Sequence, residues 1–156
     1  MVATPQNERA NKGCGNVTFE AADVMAMSFA PNTYDFVFTN WLFMYLGDAE
    51  LAELAPRLLR CLSPGGRLFF RESCNRQSGD RSRAFNPSHY REASDYTQLF
   101  ENTALPCGAR FRLEANGCAS QIAGTTHGTS LVALFSPLHA LTPNPLLLAR
   151  CARMWS

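Results

Sequence analysis

The sequence predicts an α/β domain with a mostly parallel sheet, on three observations. Tyr34-Asp35-Phe36-Val37-Phe38-Thr39 is an aromatic and β-branched run with the near-continuous apolarity of a strand covered on both faces. Leu51, Leu54, Leu58 and Leu62 recur at spacings of three and four, which lays one apolar stripe along a helix from 49 to 62. Arg67-Leu68-Phe69-Phe70-Arg71-Glu72-Ser73 reads as a second strand, and a helix between two strands implies a parallel pair joined by a right-handed crossover.

The elements follow in order. A polar leader over residues 1–16 precedes Val17-Thr18-Phe19-Glu20-Ala21-Ala22, whose alternation of apolar and polar side chains predicts a short strand ending at Asp23. Pro31-Asn32-Thr33 supplies turn chemistry before the strand at 34–39. Asp48 is the expected N-cap of the following helix, and Ser63-Pro64-Gly65-Gly66 ends it. Pro56 lies within that helix, removes a backbone donor and implies a kink or a late start. A polar loop runs from Cys74 to Ser88, and a short helix is expected over 92–101. Phe111–Ala115 and Ser130–Phe135 form a closing antiparallel pair, separated by a connection with Gly117, Gly124 and Gly128. The domain is thus expected over residues 17–135, with a Leu/Arg-rich tail at 136–156 to which no core role is assigned.

With 156 residues the chain suits a single core. Its 14 Lys and Arg against 13 Asp and Glu leave a formal charge of +1, without the basic stripe that would track a phosphodiester backbone, so no nucleic-acid partner is expected. The first residues contain no apolar signal segment, and no apolar stretch approaches the ~20 residues of a membrane span, so a cytoplasmic protein is expected. Six cysteines without any CxxC pair suggest reduced thiols rather than a zinc site or redox couple.

Ligands of open α/β sheets bind outside the carboxyl ends of the strands, which puts Asp23, Asn40 with Trp41, and Ser73 with Cys74 on one rim. The loop that follows holds Ser73, Ser78, Ser82, Gly79, Arg76, Arg81, Arg83 and Tyr90, a donor set suited to a phosphate monoester. A solvated loop with its arginines in water is the plainer reading of the same composition. Trp41 and Tyr45 combine aromatic faces with polar handles and are candidates to stack on an adenine or face a cation, whereas Phe43 and Met44 suit core packing. His89 is a possible proton carrier, although a structural donor is the commoner role.

Ala22-Asp23-Val24, the run from Tyr34 to Trp41 and the Pro64-Gly65-Gly66 turn with its strand resemble the second half of a class I S-adenosylmethionine-dependent methyltransferase. NWLFMYLGD, FFRESC, QSGD and NPSHYRE, in that order, resemble the first methyltransferase domain of plant-type phosphoethanolamine N-methyltransferases. The resemblance implies an incomplete Rossmann-like fold and methyl transfer from S-adenosylmethionine to the amine of phosphoethanolamine, on the way to phosphocholine. It implies that Asp23 and Val24 hold the adenine, that Asn40 lies at the methionine end of the cofactor, and that Ser73, Ser78, Gly79, Arg83 and Tyr90 bind the phosphobase. Tyr45 is the candidate to handle a proton or face the cationic amine.

The sequence also departs from that family. No glycine-rich turn follows a first strand, and no acidic residue follows a second. Gly13-Cys14-Gly15 is no substitute, because no apolar strand precedes it and no helix follows to aim its amides at a ligand. An N-terminally truncated domain lacking its first two strands is therefore expected, with impaired activity unless a complementary chain supplies the cofactor half. The alternative is a non-catalytic fragment or regulatory module that keeps the phosphobase contacts. Without those strands, either 17–22 pairs directly with 34–39 or long apolar edges stay exposed.

Overall fold

The computed structural model describes residues 4–74, 87–118 and 129–138. The elements are α1 (Thr4–Ala10), β1 (Tyr34–Asn40), a 3-10 turn (Phe43–Tyr45), α2 (Asp48–Cys61), β2 (Leu62–Cys74), α3 (Ala93–Asn102), β3 (Arg110–Cys118) and β4 (Thr129–Leu138). They build a four-stranded sheet in the order β1-β2-β4-β3. β1 and β2 are parallel, with Asn40 opposite Arg71, while β2 with β4 and β3 with β4 are antiparallel. The described sheet is therefore mixed rather than mostly parallel, because the only parallel pair is the one spanning α2.

The leucine stripe produces its helix. Leu51, Leu54, Leu58 and Leu62 are all buried, and α2 runs unbroken through Pro56 from Asp48, so Pro56 does not delay its start. The N-cap is Gly47 rather than Asp48: the Gly47 N–H donates to Glu50 Oε2 at 2.7 Å, and Asp48 is the first helical residue. β2 follows α2 directly, so the Pro-Gly-Gly segment bulges at the head of a strand, where the pairing register with β1 shifts. Gly65 there has φ +81, and a Cβ on Gly66 would stand 2.9 Å from both the Ser63 and the Tyr34 carbonyl oxygens. Only glycine fits both positions.

One face of the sheet is packed. Phe70 lies at its centre, with ring centroids 5.2 to 5.8 Å from Phe43, Tyr96, Phe100 and Phe135, and all five rings are fully buried among the leucines of α2. Fully burying one such side chain stabilises by about 1.5–3 kcal/mol. The other face is bare at its β1 end. Phe36 and Phe38 stack on Phe69, yet remain 58% and 55% exposed. The expectation that β1 is covered on both faces fails, because no described element packs against that side.

Residues 17–22 form no strand, contrary to the alternation of their side chains. A strand exists through a hydrogen-bonded neighbour, and among the described residues β1 pairs only with β2. Of the two outcomes foreseen for the sheet, an exposed apolar edge is the one observed. The polar leader expected over residues 1–16 carries α1. Gly13 and Gly15 lie exposed beyond that helix with open space around their Cα atoms, which is no glycine-requiring cradle.

Candidate functional site

Two parallel strands end on the same side, and the chain leaving β1 stays there. The Trp41 N–H donates to Arg71 O at 2.8 Å, but Trp41 has φ 53, a left-handed conformation that costs an L-residue roughly 1–2 kcal/mol. The turn that follows has its donors collected by one carboxylate. Glu72, fully buried on β2, accepts from the N–H groups of Leu42 and Phe43 through Oε1, each at 3.0 Å, and of Met44 through Oε2 at 3.2 Å.

The acceptors of the same turn go to the segment before α3. The His89 N–H donates to Met44 O at 2.6 Å. The Arg91 guanidinium donates to Phe43 O at 3.1 Å and Leu46 O at 2.8 Å, and holds Asp48 Oδ1 through Nε and Nη2 at 2.9 and 2.7 Å. Cys74 and Arg91 form a parallel bridge, so the two ends flanking residues 75–86 lie side by side. The hydroxyl of Tyr96 is buried, and the Arg91 guanidinium carbon sits 5.7 Å from its ring centroid.

The electrostatics follow from burial. Desolvation raises the Glu72 carboxyl above its ordinary range, and the N–H groups of Phe43, Met44 and Leu42 together with the charge of Arg91 offset this only in part. Burial also opposes the charge of Arg91, but Asp48 and the Tyr96 phenol outweigh it and the guanidinium stays protonated. Tyr96 is pushed up to about 12, by burial first and then by the negative charge of Glu72.

A family model described as a methyltransferase domain matches residues 1–66. Phosphoethanolamine N-methyltransferase 3 of Arabidopsis thaliana is 48% identical over 98 residues, which is 62% of this chain and 20% of the relative. Phosphoethanolamine N-methyltransferase 1 of Zea mays is 45% identical over 112 residues, covering 69% of this chain and 22% of the relative. Over part of their length, the phosphoethanolamine N-methyltransferases are what this chain is similar to. Among solved structures, Haemonchus contortus phosphoethanolamine N-methyltransferase 1, in complex with phosphoethanolamine and S-adenosylhomocysteine, superimposes with a TM-score of 0.74 at 26% identity, over 97% of this chain and 36% of that one. The fold is thus part of a class I methyltransferase fold. The chain spans about a fifth of the length of the curated relatives it matches.

The residues singled out from sequence fall into three groups. Asn40 at the end of β1, Tyr45 at the end of the 3-10 turn, Ser73 near the end of β2 and Tyr90 beside Arg91 are gathered at the rim by the pairings above. Asn40 and Tyr45 are exposed, Ser73 is buried and Tyr90 is half-buried. Asp23 and Val24 lie on a separate turn. Asp23 is exposed, and its Oδ1 accepts from the Met25 N–H at 2.9 Å. Val24 is half-buried against the core. Ser78, Gly79 and Arg83 lie outside the described residues.

Three residues escaped sequence reasoning. Glu72 and Arg91 organise the rim, and Arg57 of α2 ties the Asp23 turn down by donating to Met25 O at 3.0 Å, Val24 O at 3.3 Å and Met27 O. A charged residue inside the apolar run of β2 was the available signal for Glu72. Among the described residues no group of His, Cys, Asp and Glu could hold a metal ion, and no helix is long and apolar enough to cross a membrane.

Proposed function

We propose that this chain forms the phosphobase side of a phosphoethanolamine N-methyltransferase, working on S-adenosylmethionine in the cytoplasm. The observation that carries the reading is the gathering of Asn40, Tyr45, Ser73 and Tyr90 at the carboxyl rim of the parallel pair. Ser73, Ser78, Gly79, Arg83 and Tyr90 would bind the phosphate monoester through hydroxyl, amide and guanidinium donors. Asp23 has a second carboxylate oxygen free of the turn to accept from an exocyclic amine, the Val24 backbone lies beside it, and Asn40 stands at the rim. These residues fit the adenine and methionine ends of the cofactor, while the sequence offers no glycine-rich turn for its middle.

When bound, the cofactor supplies an electrophilic methyl group on a sulfonium. The task of the chain is to hold the substrate amine in line with that methyl and to take the proton the amine must lose. Tyr45, 48% exposed at the rim, is placed to face the amine through its ring or to relay the proton through its hydroxyl. A complementary chain carrying a glycine-rich turn would bind along the free edge of β1 and cover Phe36 and Phe38. Methyl transfer that appears only on mixing with the corresponding segment of a relative would support that partner.

Isothermal titration of the full chain tests the substrate reading. Phosphoethanolamine is expected to bind, with Arg83→Ala weakening it by about tenfold or more and Tyr90→Phe by up to about tenfold. Absence of heat at millimolar phosphoethanolamine overturns it. The open space around the exposed Gly13 and Gly15 favours a second reading, a non-catalytic module that keeps the phosphobase contacts. Phosphoethanolamine heat without any S-adenosylhomocysteine heat would select the second reading for the chain on its own.

A further inference from the structure

We propose that Glu72 and Arg91 act together as positioning residues that set the turn from Trp41 to Leu46 against Ser73 and Tyr90, an inference that rests on the ligand-binding reading of that rim. A carboxylate buried at 0% exposure is expensive, and a well-packed apolar residue of similar size would be the cheaper choice for a core strand. Its partners explain its presence. The N–H groups of Leu42, Phe43 and Met44 all converge on its two oxygens, directly after a residue held at φ 53. A strained residue such as Trp41 persists only where its surroundings over-determine it. Glu72 supplies that constraint from one side, and Arg91 supplies it from the other by taking Phe43 O and Leu46 O.

The two anchors are also chain neighbours of the rim residues. Glu72 immediately precedes Ser73, and Arg91 immediately follows Tyr90. Any displacement of the turn carrying Trp41 and Tyr45 is passed across one peptide unit to each of them. The Cys74–Arg91 bridge and the His89–Met44 hydrogen bond close the same unit, so turn and rim are set as one piece. Glutamine at 72 would keep the shape of the side chain but present one acceptor oxygen and an NH2 group to three donors. Lysine at 91 would keep the charge but lose the planar fork that reaches several acceptors at once.

The test uses the full chain with Trp155→Phe, so that Trp41 is the sole tryptophan. Far-UV circular dichroism, Trp41 emission and phosphoethanolamine titration are read for Glu72→Gln, Glu72→Asp and Arg91→Lys. Expected are an unchanged far-UV spectrum, a shifted Trp41 emission and phosphoethanolamine binding weaker by about tenfold in Glu72→Gln, with partial recovery in Glu72→Asp. Folded Glu72→Gln with Trp41 emission identical to the parent overturns the proposal. If Glu72→Gln loses its fold, Arg91→Lys decides by the same emission criterion. If the parent binds no phosphoethanolamine, the substrate reading falls, whereas the emission comparison still confirms or overturns the anchoring of the turn.

Discussion

Gly66 lies so close beneath Tyr34 that a Cβ at position 66 would stand 2.9 Å from the Tyr34 carbonyl oxygen. A second backbone atom, Ser63 O, stands at the same distance, so neither neighbour is a flexible side chain that could swing away. Gly66→Ala is expected to cost about 1–3 kcal/mol of unfolding free energy. Urea denaturation measures it, and a change below about 0.5 kcal/mol would contradict the close approach.

Tyr96 should ionise well above the ordinary range of a phenol. Its value is pushed up to about 12 by burial and by the charge of Glu72, with Arg91 pulling it down. The chain has four tyrosines. An alkaline absorbance titration is expected to show a late phase near 12 that disappears in Tyr96→Phe, and an unaltered curve in that variant would refute the assignment.

Glu72 links stability to acidity with a definite sign. Burial raises its carboxyl above the ordinary 4.5, so the folded chain binds this proton more tightly than the unfolded chain does. Its contribution is fully present below the ordinary value and is lost as pH rises through the raised folded value. The difference in unfolding free energy between the parent and Glu72→Gln should therefore fall over that window and level off above it. A difference that stays flat from pH 4 upward would show that the raised value is wrong.

Phe36 and Phe38 make the free edge of the sheet adhesive. Both lie more than half exposed on a strand with one side unpaired among the described residues. Such an edge invites association. Phe36→Thr with Phe38→Thr is expected to lower the concentration-dependent rise in light scattering while moving Tm by less than about 4 °C. Equal scattering in parent and variant would argue against this edge as the source.

The parts legible in the sequence are those whose signal is local. The leucine spacing of α2, the apolar run of β1, the Pro-Gly-Gly segment and the closing β3–β4 pair each carry their pattern within a few residues. Val17–Ala22 misled because alternation states a preference for extended backbone, whereas a strand also needs a neighbour. The full burial expected of β1 failed for the same reason. At the rim, Asn40 and Ser73 were singled out by the rule about strand ends, Tyr45 by its aromatic face and polar handle, and Tyr90 by the donor set of its loop. Glu72 and Arg91 were not, because their partners are backbone groups of a turn some 30 and 45 residues distant, and no spacing within the sequence announces such a contact.

The bare flank of the sheet also bears on calorimetry. Apolar area that is already wetted in the folded state adds nothing to the heat capacity gained on melting, which otherwise rises by about 0.45 cal/K/mol for each newly exposed Å². The stability curve of this chain should be flatter than its length implies, with a correspondingly shallow urea slope. A binding partner that dries Phe36 and Phe38 would deepen the curvature without changing a single bond inside the chain.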